Sequence, residues 1–196
     1  MMVNDKNDTI PFSTNVATRT GSECDTMRRR FVIEAVMTAI YGQLLVPGRP
    51  VEYIIPYSTI LELYDMRDSD EPVMPDPEDD AHVKQKIGEL IAFLEESFNK
   101  KKIERALVAP WRSSPPLLIN ENVTFTVVYA VENAQYGEIF DPIETELILT
   151  SQREQSPLLT DQLEFVDKLI EEEVPVQVFD VEDFEYALEV GAAPGE

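Results

Sequence analysis

The sequence predicts an α/β protein, a single domain in which a mixed sheet is flanked by helices. Apolar runs rich in β-branched residues alternate with stretches of helical periodicity. The last third of the chain has the order strand, helix, strand, helix, which is typical of a parallel crossover unit. Hydrophobic residues make up 43% of the 196 residues, enough for one substantial core. We therefore expect a domain over residues 26–190 that ends in a βαβα unit.

The two termini differ from this domain in composition. Residues 1–25 are rich in Asn, Asp, Thr and Ser and have no periodic apolar pattern, which predicts a disordered tail. Residues 191–196 predict a flexible C-terminus. From Thr26 to about Leu44 we expect a buried helix, because between Phe31 and Tyr41 only Glu34 and Thr38 interrupt an apolar run. Arg30 would then pair with Glu34 one helical turn later.

The middle of the chain predicts further elements in order. A Pro-Gly turn precedes a β-branched strand over 51–55, and Ser58 or Thr59 can cap a brief helix after it. An acidic connector over 65–80 leads to a helix whose apolar stripe is Val83, Ile87, Leu90, Ile91, Leu94 and Phe98. Strands are expected over 103–108, 123–131, 147–149 and 176–179, with a helix capped by Thr160 and a last helix opened by Asp180.

The charge balance excludes whole classes of function. The chain has 38 acidic and 16 basic residues, a net charge of -22, and residues 113–196 hold nineteen acids against Arg153 and Lys168. Such a surface repels phosphate backbones and anionic lipid heads, so we expect neither nucleic acid nor membrane as a direct partner. The N-terminus lacks the apolar core of a signal peptide and Cys24 is the single cysteine, which favours a cytoplasmic location.

The residue types that carry most catalysis are scarce. His82 is the single histidine, which removes most routes to a structural zinc site or a His-based triad. The seven glycines form neither GxGxxG nor GxxxxGK[ST], so no phosphate-binding loop is expected. Asp76–Asp80 could hold a hard cation, but an N-cap, a proline at the first helical position and an acidic first turn explain the same residues. We predict no catalytic residues, no metal and no cofactor.

Two candidate binding sites follow from position and charge. Ser151, Gln152 and Arg153 would follow the strand over 147–149 and, with Asp180, would lie where ligands collect in an open α/β sheet. An exposed loop arginine is the alternative. Trp111 could stack a ligand or close the edge of the core. The basic residues cluster at 28–30 and 84–112, either as one anion-binding patch or as partners of the acidic residues.

The second site is acidic. The predicted helix after Thr160 would bury the stripe Leu163, Val166, Ile170 and turn its carboxylates to solvent. These carboxylates predict binding to a basic protein partner: Glu164, Asp167, Glu171, Glu172 and Glu173.

Two segments carry a resemblance. The run RRRFVIEAVMTAIY from Arg28 to Tyr41, together with the later ENAQYGEIFDPIETELILTSQREQSPLLTDQLEFVDKLIEEEVPVQVFD, resembles a small bacterial family that carries an ADP-heptose synthase label. The label implies a nucleotidyltransferase, whose HxGH-type motif needs two histidines where this chain has only His82. The resemblance therefore implies no site residues.

These observations favour a soluble, acidic, cytoplasmic protein that acts as a non-enzymatic binding or regulatory module. The first alternative is an enzyme that acts on a nucleotide or sugar phosphate, as the ADP-heptose synthase label implies. The second is a DNA-mimicking inhibitor of a nucleic-acid-binding protein. No feature of the sequence predicts the oligomeric state or the pathway.

Overall fold

The computed structural model describes residues 28–131 and 136–190, which form seven α-helices around one six-stranded sheet. The predicted α/β class with a mixed sheet is confirmed. The predicted tail over 1–25 and C-terminus over 191–196 lie outside the described residues. The strands are β1 (Arg29–Ile33), β2 (Val51–Pro56), β3 (Leu117–Leu118), β4 (Val123–Val128), β5 (Leu158–Leu159) and β6 (Val178–Phe179). The helices are α1 (Met37–Ile40), α2 (Tyr57–Asp68), α3 (Pro77–Glu95), α4 (Ser97–Ala106), α5 (Pro142–Glu154), α6 (Leu163–Glu171) and α7 (Val181–Val190), with a 3₁₀ helix at Gly42–Leu45.

The strand order across the sheet is β3-β4-β2-β1-β5-β6. Every neighbouring pair is parallel except β3 and β4, which are antiparallel. The chain adds β2 to one side of β1 and later adds β5 to the other side, so the winding direction reverses between β1 and β5. In doubly wound sheets the crevice at such a reversal is the usual place for a ligand.

Side chains alternate between the two faces of the sheet and build two cores. Phe31, Tyr53 and Phe125 point to the face covered by α1, α2, α3, α4 and α7, where the ring of Phe184 lies 5.1 Å from that of Phe31. Val32 and Ile54 point to the other face, which α5 and α6 cover. The central strands β1, β2 and β4 are mainly apolar and are buried on both faces over most of their length, as parallel strands between two helical layers must be.

The predicted helix over 26–44 is wrong. Arg29–Ile33 is the strand β1, hydrogen-bonded to β2 on one side and β5 on the other, and only the single turn α1 is helical before the 3₁₀ helix. An uninterrupted apolar run suits a doubly buried strand as well as a buried helix, and periodicity alone does not separate them. Arg30 therefore pairs not with Glu34 but with Glu52 at 3.3 Å and Glu154 at 2.8 Å.

Two predicted strands are also helical. Residues 103–108 lie mainly in α4, and residues 147–149 lie within α5. Asp141 begins α5 with a capping box: its carboxylate accepts from the N–H of Glu144, whose carboxylate accepts from the N–H of Asp141. Thr160 does not cap α6, since its hydroxyl accepts from the N–H of Gln162. The C-terminal βαβα unit is confirmed with β5, not 147–149, as its first strand.

The other local predictions are largely confirmed. The strands over 51–55 and 123–131 correspond to β2 and β4. Asp76 caps α3, accepting from the N–H groups of Glu78 and Asp79, and Pro77 is the first helical residue. The helix ends earlier than its apolar stripe suggests, so Phe98 falls in α4 and is 71% exposed. The helix after β2 begins at Tyr57 and has no side-chain cap from Ser58 or Thr59.

Candidate functional site

The four residues predicted as one ligand site lie at opposite edges of the sheet. Ser151, Gln152 and Arg153 belong to the last turns of α5, and Ser151 and Gln152 line the same crevice as residues that precede β5 and β6. Asp180 follows β6 at the edge where the parallel strands end, called here the carboxyl edge. The predicted common site for these four residues is wrong, because residues 147–149, predicted as a strand, lie in the helix α5, which runs back across the sheet. Ligand binding by these residues stays a prediction.

The side chains of the α5 residues have partners within the fold. The hydroxyl of Ser151 donates to the carbonyl of Ser156 at 2.7 Å, and the amide of Gln152 donates to the hydroxyl of Tyr136 at 3.0 Å. The guanidinium carbon of Arg153 lies 5.2 Å from the centre of the Trp111 ring. Trp111 packs against the edge of the α5–α6 core, as the second interpretation of this residue predicts. Asp180 accepts from the N–H of Asp183 and so begins α7.

The carboxyl edge at the reversal between β1 and β5 holds a buried carboxyl group. Glu34 follows β1 and is 5% exposed, and both of its carboxylate oxygens accept from the amide of Gln162 at 2.9 Å. Burial raises the pKa of Glu34 to about 7, and the nearby charges of Glu62, Asp161 and Asp141 act in the same direction. Burial likewise raises the pKa of Glu62 to about 7.

This crevice is unsuited to a phosphate. The turn after β1 has no glycine, and the N–H of Ala35 is taken by the hydroxyl of Thr59 at 3.2 Å. Tyr41 donates to Asp161 at 2.7 Å across the same opening. A nucleotide would need free backbone N–H groups and a positive local potential, whereas this edge presents carboxylates.

Helix α6 begins at this edge and departs from its predicted orientation. Phe165 and Leu169 are its buried residues, 1% and 3% exposed. Leu163 is 78% exposed and Ile170 is 69% exposed, with Val166 half-buried between them. The stripe predicted to face the core is therefore the one that faces solvent. The helix has two apolar stripes, and Phe165 fills the α5–α6 core by packing on Phe140 at 6.0 Å.

The predicted acidic residues lie beside this exposed stripe and just after the helix. Glu164, Asp167, Glu171, Glu172 and Glu173 are all exposed, and none forms a salt bridge with another described residue. Lys168 is the one cation of α6, and its ammonium group binds Glu144 of α5 at 2.8 Å. We call the stripe Leu163, Val166 and Ile170 together with the five acids the α6 surface.

The α6 surface continues the negative potential of the carboxyl edge. Asp141 and Glu164 both raise the pKa of Lys168, after the larger effect of its hydrogen bond to Glu144. Sequence reasoning found the five acids but not the exposed leucine and isoleucine. The pair Phe165 and Leu169, four residues apart, was the available signal for a second stripe.

The other candidate groups have ordinary local roles. Within the described residues no cluster of three or more His, Cys, Asp or Glu side chains has the arrangement of a metal site. Asp80 accepts from the N–H groups of Val73 and Met74 and pairs with Lys84, so it holds the connector against α3. Of the basic clusters, Arg30, Lys84 and Lys86 pair with acids. Cys24 lies outside the described residues.

The comparisons with known proteins add no family. No protein-family model matches this sequence, and no curated protein is similar to it. The resemblance to the family with the ADP-heptose synthase label stays a prediction. Across residues 28–131 and 136–190, none of the helices combines the length and the apolar composition that crossing a bilayer requires.

Proposed function

We propose that this protein is a non-enzymatic binding module whose α6 surface docks a basic, amphipathic helix of a partner protein. The observation that carries the proposal is the exposure of Leu163 and Ile170 next to five exposed acids that form no salt bridge with a described residue. Large apolar side chains that are exposed and rimmed by charge are typical of interaction sites. The two residues lie seven positions apart, on one side of the helix, and so can contact one partner element.

The charges define the partner. Five carboxylates without salt bridges attract lysine and arginine side chains, and the net charge of -22 speeds the encounter. A helix with one apolar face and basic flanks matches both features of the surface. The apolar contact then limits dissociation, while the charges govern capture and its dependence on salt.

The carboxyl edge favours a binding module over the nucleotide-dependent alternative. Glu34 is engaged by Gln162, and the N–H of Ala35 by Thr59, at the position where doubly wound enzymes hold a cofactor phosphate. The α6 surface is therefore the exposed region whose apolar and acidic side chains best indicate the kind of partner. The sugar-phosphate enzyme and the DNA mimic are the other outcomes of the experiments.

The first experiment measures binding of a fluorescent 18-residue peptide of Leu, Ala and Lys, arranged as an amphipathic helix, by anisotropy at low and high salt. Replacing the five acids of the α6 surface by Gln or Asn should weaken binding roughly 30-fold, since exposed ion pairs contribute about 0.3–0.5 kcal/mol each. The substitutions leave the core intact because all five side chains are exposed.

The matched control removes the same number of charges elsewhere. Exposed glutamates outside the surface become Gln at Glu96, Glu104, Glu121, Glu138 and Glu185. This variant should retain most of the affinity. If both five-fold variants lose affinity equally, binding reports net charge alone and the proposed surface is wrong.

A double variant, Leu163→Ser with Ile170→Ser, tests the apolar stripe of the α6 surface. The control is the double variant Val46→Ser with Leu118→Ser, because these two residues are exposed elsewhere on the protein. The substitutions at Leu163 and Ile170 should weaken binding at both salt concentrations, and those at Val46 and Leu118 should not.

Two other outcomes would support the alternative functions. Stabilisation of the protein by a nucleotide sugar, lost in Arg153→Ala, would support the enzymatic alternative. Binding to a DNA-binding domain that duplex DNA displaces, with no effect of the serine pair, would support the DNA mimic.

A further inference from the structure

A cavity of about 370 Å³ lies between α1, the following 3₁₀ helix and α3, on the face of the sheet opposite α6. One wall consists of Ala39, Ile40 and Leu45, and the opposite wall of Leu90 and Phe93. Phe125 of β4 and Ile119 add to the apolar lining, and the buried Thr38 also lines the pocket, with its hydroxyl donating to the carbonyl of Ala35. We call this cavity the α1–α3 pocket. Its volume and apolar lining fall in the range of small-molecule sites.

The pocket exists because the first crossover helix is short. Only four residues after β1 form α1, where a crossover connection ordinarily supplies a helix long enough to cover the strands. Gly42 begins the 3₁₀ helix without a side chain, and a Cβ atom placed there would meet no atom within 4 Å. The pocket therefore results from the shortness of α1 and from the missing side chain at Gly42.

The ionisable groups lie at the exposed rim on α3, and their charges balance one another. His82, Lys86 and Glu89 extend from one side of α3, and the ammonium group of Lys86 binds Glu89 at 2.8 Å. A charged ligand head that entered the apolar part of the pocket would be desolvated there without a counter-ion, which is costly. The net charge of the protein adds repulsion against an anion.

We propose that the α1–α3 pocket binds an uncharged, mainly apolar molecule of one or two rings that carries a single hydrogen-bonding group. The apolar body contacts Leu90, Phe93 and Phe125, and the polar group reaches the rim. Since the pocket and α6 lie on opposite faces, this site is independent of the proposed partner binding.

The test compares three probes that share one ring system and differ in charge: 1-naphthol, 1-naphthoate and 1-naphthylmethylammonium. Titration calorimetry should show that the neutral alcohol binds at least tenfold more tightly than either ion. Gly42→Leu should abolish binding, because the new side chain occupies the open space at the pocket wall. Gly48→Leu is the matched control, since its Cβ also meets no atom within 4 Å and it does not line this pocket.

Two further variants keep the proposal falsifiable if Gly42→Leu unfolds. Leu90→Trp fills the pocket from α3 and should also abolish naphthol binding. Glu89→Gln frees Lys86 from its carboxylate and should shift the preference toward 1-naphthoate, whereas Glu96→Gln should not. Equal affinity for all three probes, or naphthol binding that survives both filling variants, would overturn the proposal.

Discussion

The pKa of Glu34 depends on the environment in which the fold places its carboxyl group. Its carboxyl group follows a strand that is buried on both faces, and the Gln162 amide binds both of its oxygens. Burial, assisted by the charges of the neighbouring carboxylates, raises its pKa from 4.5 to about 7, although the hydrogen bond from the Gln162 amide lowers it. The folded protein therefore keeps a proton on Glu34 over a range in which the unfolded chain has lost it.

This linkage predicts that the contribution of Glu34 to stability is fully present below pH 4.5 and is lost as pH rises toward 7. Glu34→Gln, which cannot ionise, should raise the free energy of unfolding at pH 8 by about 2–3 kcal/mol and change it little at pH 4.5. Urea unfolding at several pH values measures both. Glu104→Gln, at an exposed position on α4, should leave the pH dependence unchanged. A loss of stability at pH 8 in Glu34→Gln would contradict this linkage.

At the scale of the element, the clearest local signals are the helix starts. Asp76 and Asp141 each accept from two backbone N–H groups, and each precedes a proline at the first helical position. The cap of α3 was predicted, and the cap of α5 was missed because the apolar run over 147–149 favoured a strand. Both helices are specified within a few residues, since a side chain satisfies the free N–H groups of its own first turn.

Asp76→Ala should destabilise the protein by about 1 kcal/mol, because the N–H groups of Glu78 and Asp79 lose their acceptor. Asp76→Ser should recover most of the loss, since serine caps helices as well. Asp79→Ala is the control: the residue lies in the same acidic turn and does not cap, so only a small electrostatic loss is expected. Equal losses in Asp76→Ala and Asp79→Ala, measured by urea midpoints, would mean that charge and not capping stabilises this turn.

At the scale of the whole molecule, the strand order decides where particular carboxylates lie, whereas the net charge affects the entire surface. The strand order places Glu34, Asp161 and Asp180 at one edge of the sheet, after β1, β5 and β6. The excess of acids over bases, a net charge of -22, acts over the whole surface and opposes the compact state. The same excess keeps the protein away from other anions.

Salt should therefore stabilise the protein. Raising NaCl from about 0.05 M to about 0.5 M shortens the screening length and should raise the melting temperature by a few degrees. KCl should act equally, because screening depends on ionic strength and not on the ion's identity. Stabilisation by micromolar Ca²⁺ or Mg²⁺ at constant ionic strength, abolished by Asp79→Asn, would point instead to a specific cation site in the acidic turn of α3.

The sequence alone determined the properties that depend on composition or on a few consecutive residues. These are the negative charge, the α/β class, the cap of α3, the strands β2 and β4, and the exposure of the five acids on α6 and just after it. The tertiary structure decided the rest, because each remaining choice is made by distant contacts. Pairing with β2 and β5 makes Arg29–Ile33 a strand, and the fit of Phe165 against Phe140 turns Leu163 and Ile170 outward. Two candidate sites, the α6 surface and the α1–α3 pocket, exist through such contacts.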